Sequence, residues 1–121
     1  MATDEFYASR SLDGVRVVTF RQSHILDSVT IDRISTRLKE LVDAAAEDRF
    51  LFDFDRVAYL SSSALGMLIG LQRRVVQRQA RMKLSGINPE VMEVFRITKL
   101  DTVFDIYKDE SAAVEAFRKN A

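Results

Sequence analysis

The chain has 121 residues, 47% of them hydrophobic and 30% charged, which suits a single soluble domain with one core. Lys plus Arg equals Asp plus Glu at 18 each, so no net field draws the molecule toward nucleic acid or anionic lipid. There is no cysteine, which excludes disulfides, thiolate chemistry and cysteine-based zinc sites and fits a reducing compartment.

The N-terminal Met1-Ala2-Thr3-Asp4-Glu5 lacks the basic and apolar regions of a signal peptide. No apolar run approaches the roughly 20 residues that span a bilayer. The expectation is a cytoplasmic protein without a membrane partner. In chain order, Glu5 to Arg10 reads as a first strand, Asp13-Gly14 as a tight turn, and Val15 to Phe20 as a β-branched second strand, together an antiparallel hairpin. Asp27 or Ser28 can cap a helix, after which Ile31, Ile34, Leu38, Leu41 and Ala45 recur at helical spacing. Lys39, Glu40 and Asp43 fall off that stripe and are expected in solvent.

Phe50 to Phe54 is short, apolar and aromatic, as in a buried central strand. Beyond it lies Tyr59-Leu60-Ser61-Ser62-Ser63-Ala64-Leu65-Gly66-Met67, three hydroxyls at a helix start. Ala64, Leu68, Leu71 and Val75 share a face of that second helix, and Leu65, Ile69 and Val76 broaden it, predicting heavy burial. Arg73, Arg74, Arg78 and Arg81 mark its C-terminal half, where cations suit the helix dipole. Met82 to Leu84 begins another strand, closed by Ser85-Gly86. Asn88-Pro89 reads as a cap and first-turn proline for a third helix through Val91, Met92 and Phe95, ending near Thr98. Val103 to Ile106 is read as a last strand. Asp109 to Ser111 opens a fourth helix carrying Ala112, Ala113, Ala116 and Phe117. The order β-β-α-β-α-β-α-β-α predicts an α/β domain over residues 1–121. Its mixed, mostly parallel sheet should have about five strands with an N-terminal hairpin, packed by four helices. The eight phenylalanines, spread along the chain, read as core.

The serine run has two physical readings. A serine at a helix start caps orphan backbone N–H groups. The same end of the dipole also favours an anion, so a phosphate on one of these hydroxyls meets a favourable field or is read by a docked partner. Catalysis finds little support. His24, the single histidine, could act as base for Ser61, Ser62 or Ser63, or it could be an uninvolved loop residue. No Gly-x-Ser-x-Gly elbow and no glycine-rich phosphate loop is present. Asp53 and Asp55 fall on one side of the central strand if it extends that far. They could hold a metal ion, do acid–base work, shape the field near a serine, or simply be solvated.

With these residues in place, the chain resembles the STAS domain family, in particular bacterial anti-sigma-factor antagonists. Leu26-Asp27 is similar to the family's helix entry. Phe52-Asp53-Phe54 followed by Val57-Ala58-Tyr59-Leu60 resembles its central strand and the turn into the phosphorylation site. Ser61-Ser62-Ser63-Ala64-Leu65-Gly66 matches the family's Asp-Ser-Ser/Thr-Gly-Leu-Gly. Gly86-Ile87-Asn88-Pro89-Glu90-Val91, then Leu100-Asp101, Phe104 and Ile106-Tyr107, resemble its C-terminal signature. The resemblance implies a STAS fold, no catalytic residue, no cofactor and no bound metal. It implies Ser62 as the phosphorylated serine, with Ser61 and Ser63 as neighbours. Asp27, Asp53, Ser61, Ser62, Ser63, Ala64 and Gly66 become the implied partner-binding set. The implied partners are an anti-sigma factor with serine kinase activity and a serine phosphatase acting on the phospho-form, with no nucleic acid and no membrane. Three positions depart from the pattern: Ser61 replaces an aspartate, Ala64 a glycine, and Lys99 a glycine at the third helix's C-cap. The missing aspartate motivates an alternative, a STAS scaffold subunit of a sensory or transport-associated complex that does not switch. A small hydrolase and a nucleotide-binding module are further alternatives.

Overall fold

A computed structural model of the chain describes residues 2–119; Met1, Asn120 and Ala121, the ends of the predicted domain, lie outside it. Eight strands and four α-helices follow one another as β1 (Ala2–Thr3), β2 (Tyr7–Leu12), β3 (Val15–Phe20), β4 (His24–Ile25), α1 (Ser28–Ala44), β5 (Arg49–Asp53), β6 (Tyr59–Leu60), α2 (Ser62–Gln77), β7 (Arg81–Ser85), α3 (Pro89–Ile97), β8 (Ile106–Tyr107) and α4 (Glu110–Lys119). The main sheet has the order β1-β2-β3-β5-β7-β8. Its β1-β2-β3 portion is antiparallel, and β3, β5, β7 and β8 run parallel. This is the predicted mixed sheet, with the two-residue β1 added at one edge.

The hairpin turns where the sequence says it should. Asp13 and Gly14 take φ of 52° and 78°, both positive, as a two-residue turn matching strand twist requires. That turn pairs Leu12 with Val15, so β2 runs up to Asp13. The expected first strand, Glu5 to Arg10, is therefore shifted to Tyr7–Leu12. The expected last strand is corrected too. Lys99 adopts φ 61°, a 3-10 turn follows over Leu100–Thr102, and the Val103 and Phe104 N–H groups both donate to Leu100 O. Those residues coil back, Phe104 enters the core against Phe95, and only Ile106–Tyr107 remain to pair with β7.

Alternation along the central strands feeds two cores. On one face Val18, Phe20, Phe50, Phe52 and Leu84 meet α1, α2 and α3. On the other, Val15, Val17 and Leu51 meet α4 through Ala113, Val114 and Phe117. All eight phenylalanines are buried, as predicted. The buried stripe of α1 is Ile31, Ile34, Leu38 and Val42, with Leu41 and Ala45 half-buried at its margin. One expectation for α2 fails: Val76 is 62% exposed, because Val75 takes the inward position at the helix end. Arg81 belongs to β7 and not to α2.

Candidate functional site

Three helix N-termini gather where the parallel strands end. Beyond the main sheet, β4 and β6 form a short parallel ladder with His24 opposite Tyr59 and Ile25 opposite Leu60. The Ser61 N–H donates to Ile25 O at 3.0 Å. This rung sets the entry to α2 beside the entry to α1, which begins three residues after Ile25. Each start is closed by a side chain. Asp27 caps α1, accepting from Val29 and Thr30 N–H. Ser61 caps α2, its Oγ accepting from Ala64 N–H at 3.2 Å. Asn88 caps α3, its Oδ1 accepting from Val91 N–H at 2.8 Å. Asn88 also reaches sideways, Nδ2 donating to Val57 O and Ala58 O, and so ties the α3 entry to the loop before the serines. The positive ends of three dipoles thus share one edge.

Within the serine run the three hydroxyls have different fates. Ser61 is half-buried and occupied by its cap. Ser62 and Ser63 occupy the first turn, are exposed, and have no hydrogen-bond partner among the described residues. Gly66 lies one turn after Ser62 on the same side of the helix and is exposed, with nothing within 4 Å of a Cβ built on it.

Two residues implied as partner contacts are placed otherwise. Ala64 is fully buried, so its methyl fills the core and offers no surface. Asp53 is 8% exposed, its Oδ1 accepting from Ser85 Oγ and from the Asp55 N–H, both at 3.3 Å. Burial pushes the Asp53 carboxyl above its ordinary value, against the lowering effect of those two hydrogen bonds. Asp27 remains exposed, and its carboxyl is lowered, first by the Thr30 hydroxyl and then by the backbone N–H groups it caps.

Asp53 and Asp55 do not form a paired-carboxylate site. The strand ends at Asp53, and Asp55 turns out into solvent. His24 shares its Nδ1 hydrogen bond with Ser23 Oγ at 2.8 Å and packs against Tyr59 in a tilted arrangement, 5.0 Å between ring centroids; it bonds to none of Ser61, Ser62 and Ser63. Among the described residues no group of three or more His, Asp or Glu is set to hold a metal ion.

Sequence reasoning missed the apolar surround. Leu26, Val29 and Tyr59 are 50%, 67% and 48% exposed, on segments that enter the two capped helices. The signal was available for Val29, which lies about 200° around the helix from Ile31 and so interrupts a polar face.

Residues 8–113 match the model of the STAS domain. The chain belongs to the STAS domain family. Its relatives include the anti-sigma F factor antagonist of Paenibacillus polymyxa, 25% identical over 101 residues that cover 84% of this chain and 85% of that one. Its fold is similar to that of an anti-sigma factor antagonist from Mycobacterium paratuberculosis, with a TM-score of 0.81 at 22% identity over 93% of this chain and 92% of that one. It is also similar to that of the anti-sigma factor antagonist SpoIIAA in its unphosphorylated form, with a TM-score of 0.67 at 17% identity over 93% and 97%. Among the described residues no helix of this STAS domain is long and apolar enough to cross a membrane.

Proposed function

We propose that this protein is an anti-sigma-factor antagonist working by partner switching. With Ser62 unmodified, it binds an anti-sigma factor that is also a serine kinase. With Ser62 phosphorylated, it releases that partner. The observation that carries the reading is the division of labour between neighbours: Ser61 Oγ is engaged by Ala64 N–H, while Ser62 and Ser63 present exposed hydroxyls without a hydrogen-bond partner among the described residues, and the family's motif, which falls on Ser62, supports the choice between those two. The protein is then a substrate of catalysis and not a catalyst.

The release follows from electrostatics. A phosphate brings roughly −1.5 to −2 charges and three acceptor oxygens. Leu26, Val29 and Tyr59 surround the serine edge with apolar surface, so an interface there is suited to a neutral hydroxyl. Burying the new charge against that surface costs desolvation, and the exposed carboxylate of Asp27 shares the edge. A hundredfold weakening needs about 2.7 kcal/mol, within reach of one poorly paired buried phosphate. The partner surface in this reading is Ser62, Ser63 and Gly66 with Asp27, Leu26, Val29 and Tyr59. Asp53 and Ala64 support it from beneath.

Phosphopeptide mapping of the protein from its own cells, growing and stressed, tests this. Phosphate on Ser62 that changes with condition, and is lost in Ser62→Ala while partner binding is kept, supports the reading. Phosphate on Ser63 moves the site by one residue. Full peptide coverage with no phosphate overturns the switch and favours a non-switching scaffold, for which the serine in place of the family's aspartate at position 61 already argues.

A further inference from the structure

Asn88 makes more hydrogen bonds than a helix cap requires. Its Oδ1 accepts from Val91 N–H at 2.8 Å and closes the start of α3. Its Nδ2 donates to Val57 O at 3.2 Å and to Ala58 O at 3.1 Å. The amide nitrogen carries two hydrogens, one for each carbonyl, and the amide oxygen is the acceptor that the helix start needs. Aspartate or serine caps a helix about as well as asparagine, but neither combines an acceptor with two donors. The tie to Val57 and Ala58 is therefore what distinguishes asparagine at this position.

The segment that Asn88 holds is the strap that delivers the serines. It leaves a turn in which Val57 N–H donates to Phe54 O at 2.9 Å. The next N–H groups go to the segment before α1: Ala58 and Tyr59 both donate to Ser23 O, at 2.7 and 3.1 Å, and Ser61 donates to Ile25 O. The carbonyls of Val57 and Ala58 go to Asn88. Strand β6 is two residues long, so its ladder with β4 contributes little more. Ser62 follows Ala58 by four residues and opens α2 directly after the cap Ser61. The strap is thus held from the α1 side by backbone and from the α3 side by one side chain.

We propose that Asn88 is a positioning residue for the modification of Ser62: by holding Val57 O and Ala58 O against the start of α3, it fixes the strap, and with it the place where the Ser62 hydroxyl meets the partner kinase. The inference rests on the reading of Ser62 as the modified serine and adds to it a half-buried residue outside the serine run. Asn88 touches no reacting atom and acts only through the strap. Its effect is on orientation, where a misplacement of about 1 Å at a reacting group lowers a rate by up to about a hundredfold.

Asn88→Ser and Asn88→Asp test this, because each keeps a cap for α3 and neither offers two donors to the strap. Residue-resolved hydrogen exchange on the isotope-labelled full chain is read beside phosphopeptide mapping of the same variants from the protein's own cells. In both variants the Ala58, Tyr59 and Ser61 amides should exchange about tenfold faster, while the Val91 amide stays within about threefold of the parent. Ser62 phosphate occupancy should fall to about a tenth of the parental level. Asn88→Ala, which removes cap and tie together, should release the Val91 amide as well. Parental protection of the β5 amides shows that each variant is folded, so a merely structural role for Asn88 leaves Ser62 occupancy where it was. Unchanged strap amides in both cap-keeping variants overturn the proposal and make Asn88 a cap alone. Parental Ser62 occupancy on a loosened strap overturns it too. Absence of phosphate from Ser62 of the parent protein is a different failure: it removes the reading on which the proposal rests, and the proposal with it.

Discussion

Gly86 and Asp53 are in contact across adjacent strand ends: a Cβ built on Gly86 would stand 2.7 Å from Asp53 Oδ1 and 3.0 Å from the Asp55 N–H. Gly86 also has φ of +71°, which an L side chain rarely adopts. The buried carboxylate and the turn out of β7 are therefore built against each other, directly behind the edge that carries the serines.

Gly86→Ala should destabilise the protein by about 1 to 3 kcal/mol, from backbone strain and displacement of Asp53. Gly66→Ala is the opposite case. It lies in a helix with open space around it and should be neutral or stabilising by up to about 1 kcal/mol. Urea unfolding of the two variants checks the contrast. Equal losses would show that neither φ nor the Asp53 contact governs position 86.

Ser61→Ala removes the α2 cap and should cost about 1 kcal/mol of stability. On the reading proposed above, the variant is still phosphorylated, because the hydroxyl that disappears is the structural one. Thermal unfolding and phosphopeptide mapping on the same variant separate the two roles. Loss of modification with undiminished stability would exchange the roles of Ser61 and Ser62.

Asp53 and Asp27 should have opposite pH signatures. The Asp53 carboxyl is raised in the folded state, chiefly by burial. Its contribution to stability is complete below the unfolded value, about 3.9, and is lost as pH rises through the higher folded value. Asp53→Asn should therefore gain on the parent protein as pH rises through that window. The Asp27 carboxyl is lowered by the Thr30 hydroxyl and the N–H groups it caps, so its contribution is present above the unfolded value and is lost as pH falls through the folded one. Asp27→Asn should accordingly lose ground to the parent on the alkaline side of that transition. Urea midpoints of the three proteins across acid pH decide the matter, and parallel curves would refute both assignments.

Lys83 is 5% exposed and pairs with Asp105, with its ammonium 4.8 Å from the Phe117 ring centroid. Asp105→Ala leaves that ammonium in a largely apolar place with Tyr107 Oη as its remaining hydrogen-bond neighbour among the described residues, and should cost about 1 to 3 kcal/mol. Lys83→Met removes the charge while keeping the stem that packs on Phe117, and should cost less than Asp105→Ala. Chemical unfolding ranks the pair; the reverse order would mean that the ion pair itself, and not avoidance of an unpaired charge, dominates.

The sequence by itself determined the α/β class, the hairpin at Asp13-Gly14, a polar cap at the start of three helices (Asp27 or Ser28, one of the serines 61–63, and Asn88), and the place of every phenylalanine in the core. Those features follow from local chemistry: a turn that needs positive φ, an oxygen that satisfies orphan N–H groups, and a periodicity that selects one face. Only the tertiary structure decided which serine is a cap and which is exposed, because that depends on the rung between Ser61 and Ile25, residues far apart in the chain. It likewise buried Asp53, which motif matching had placed on the partner surface; the burial of Ala64 agrees with its helical stripe and not with its place in the motif. It brought Leu26, Val29 and Tyr59 to the serine edge, and it halted β8 short of Met82. The physical reason is common to all of these. Whether a side chain is reachable depends on what packs over it from another strand or helix, and no window of neighbouring residues contains that information.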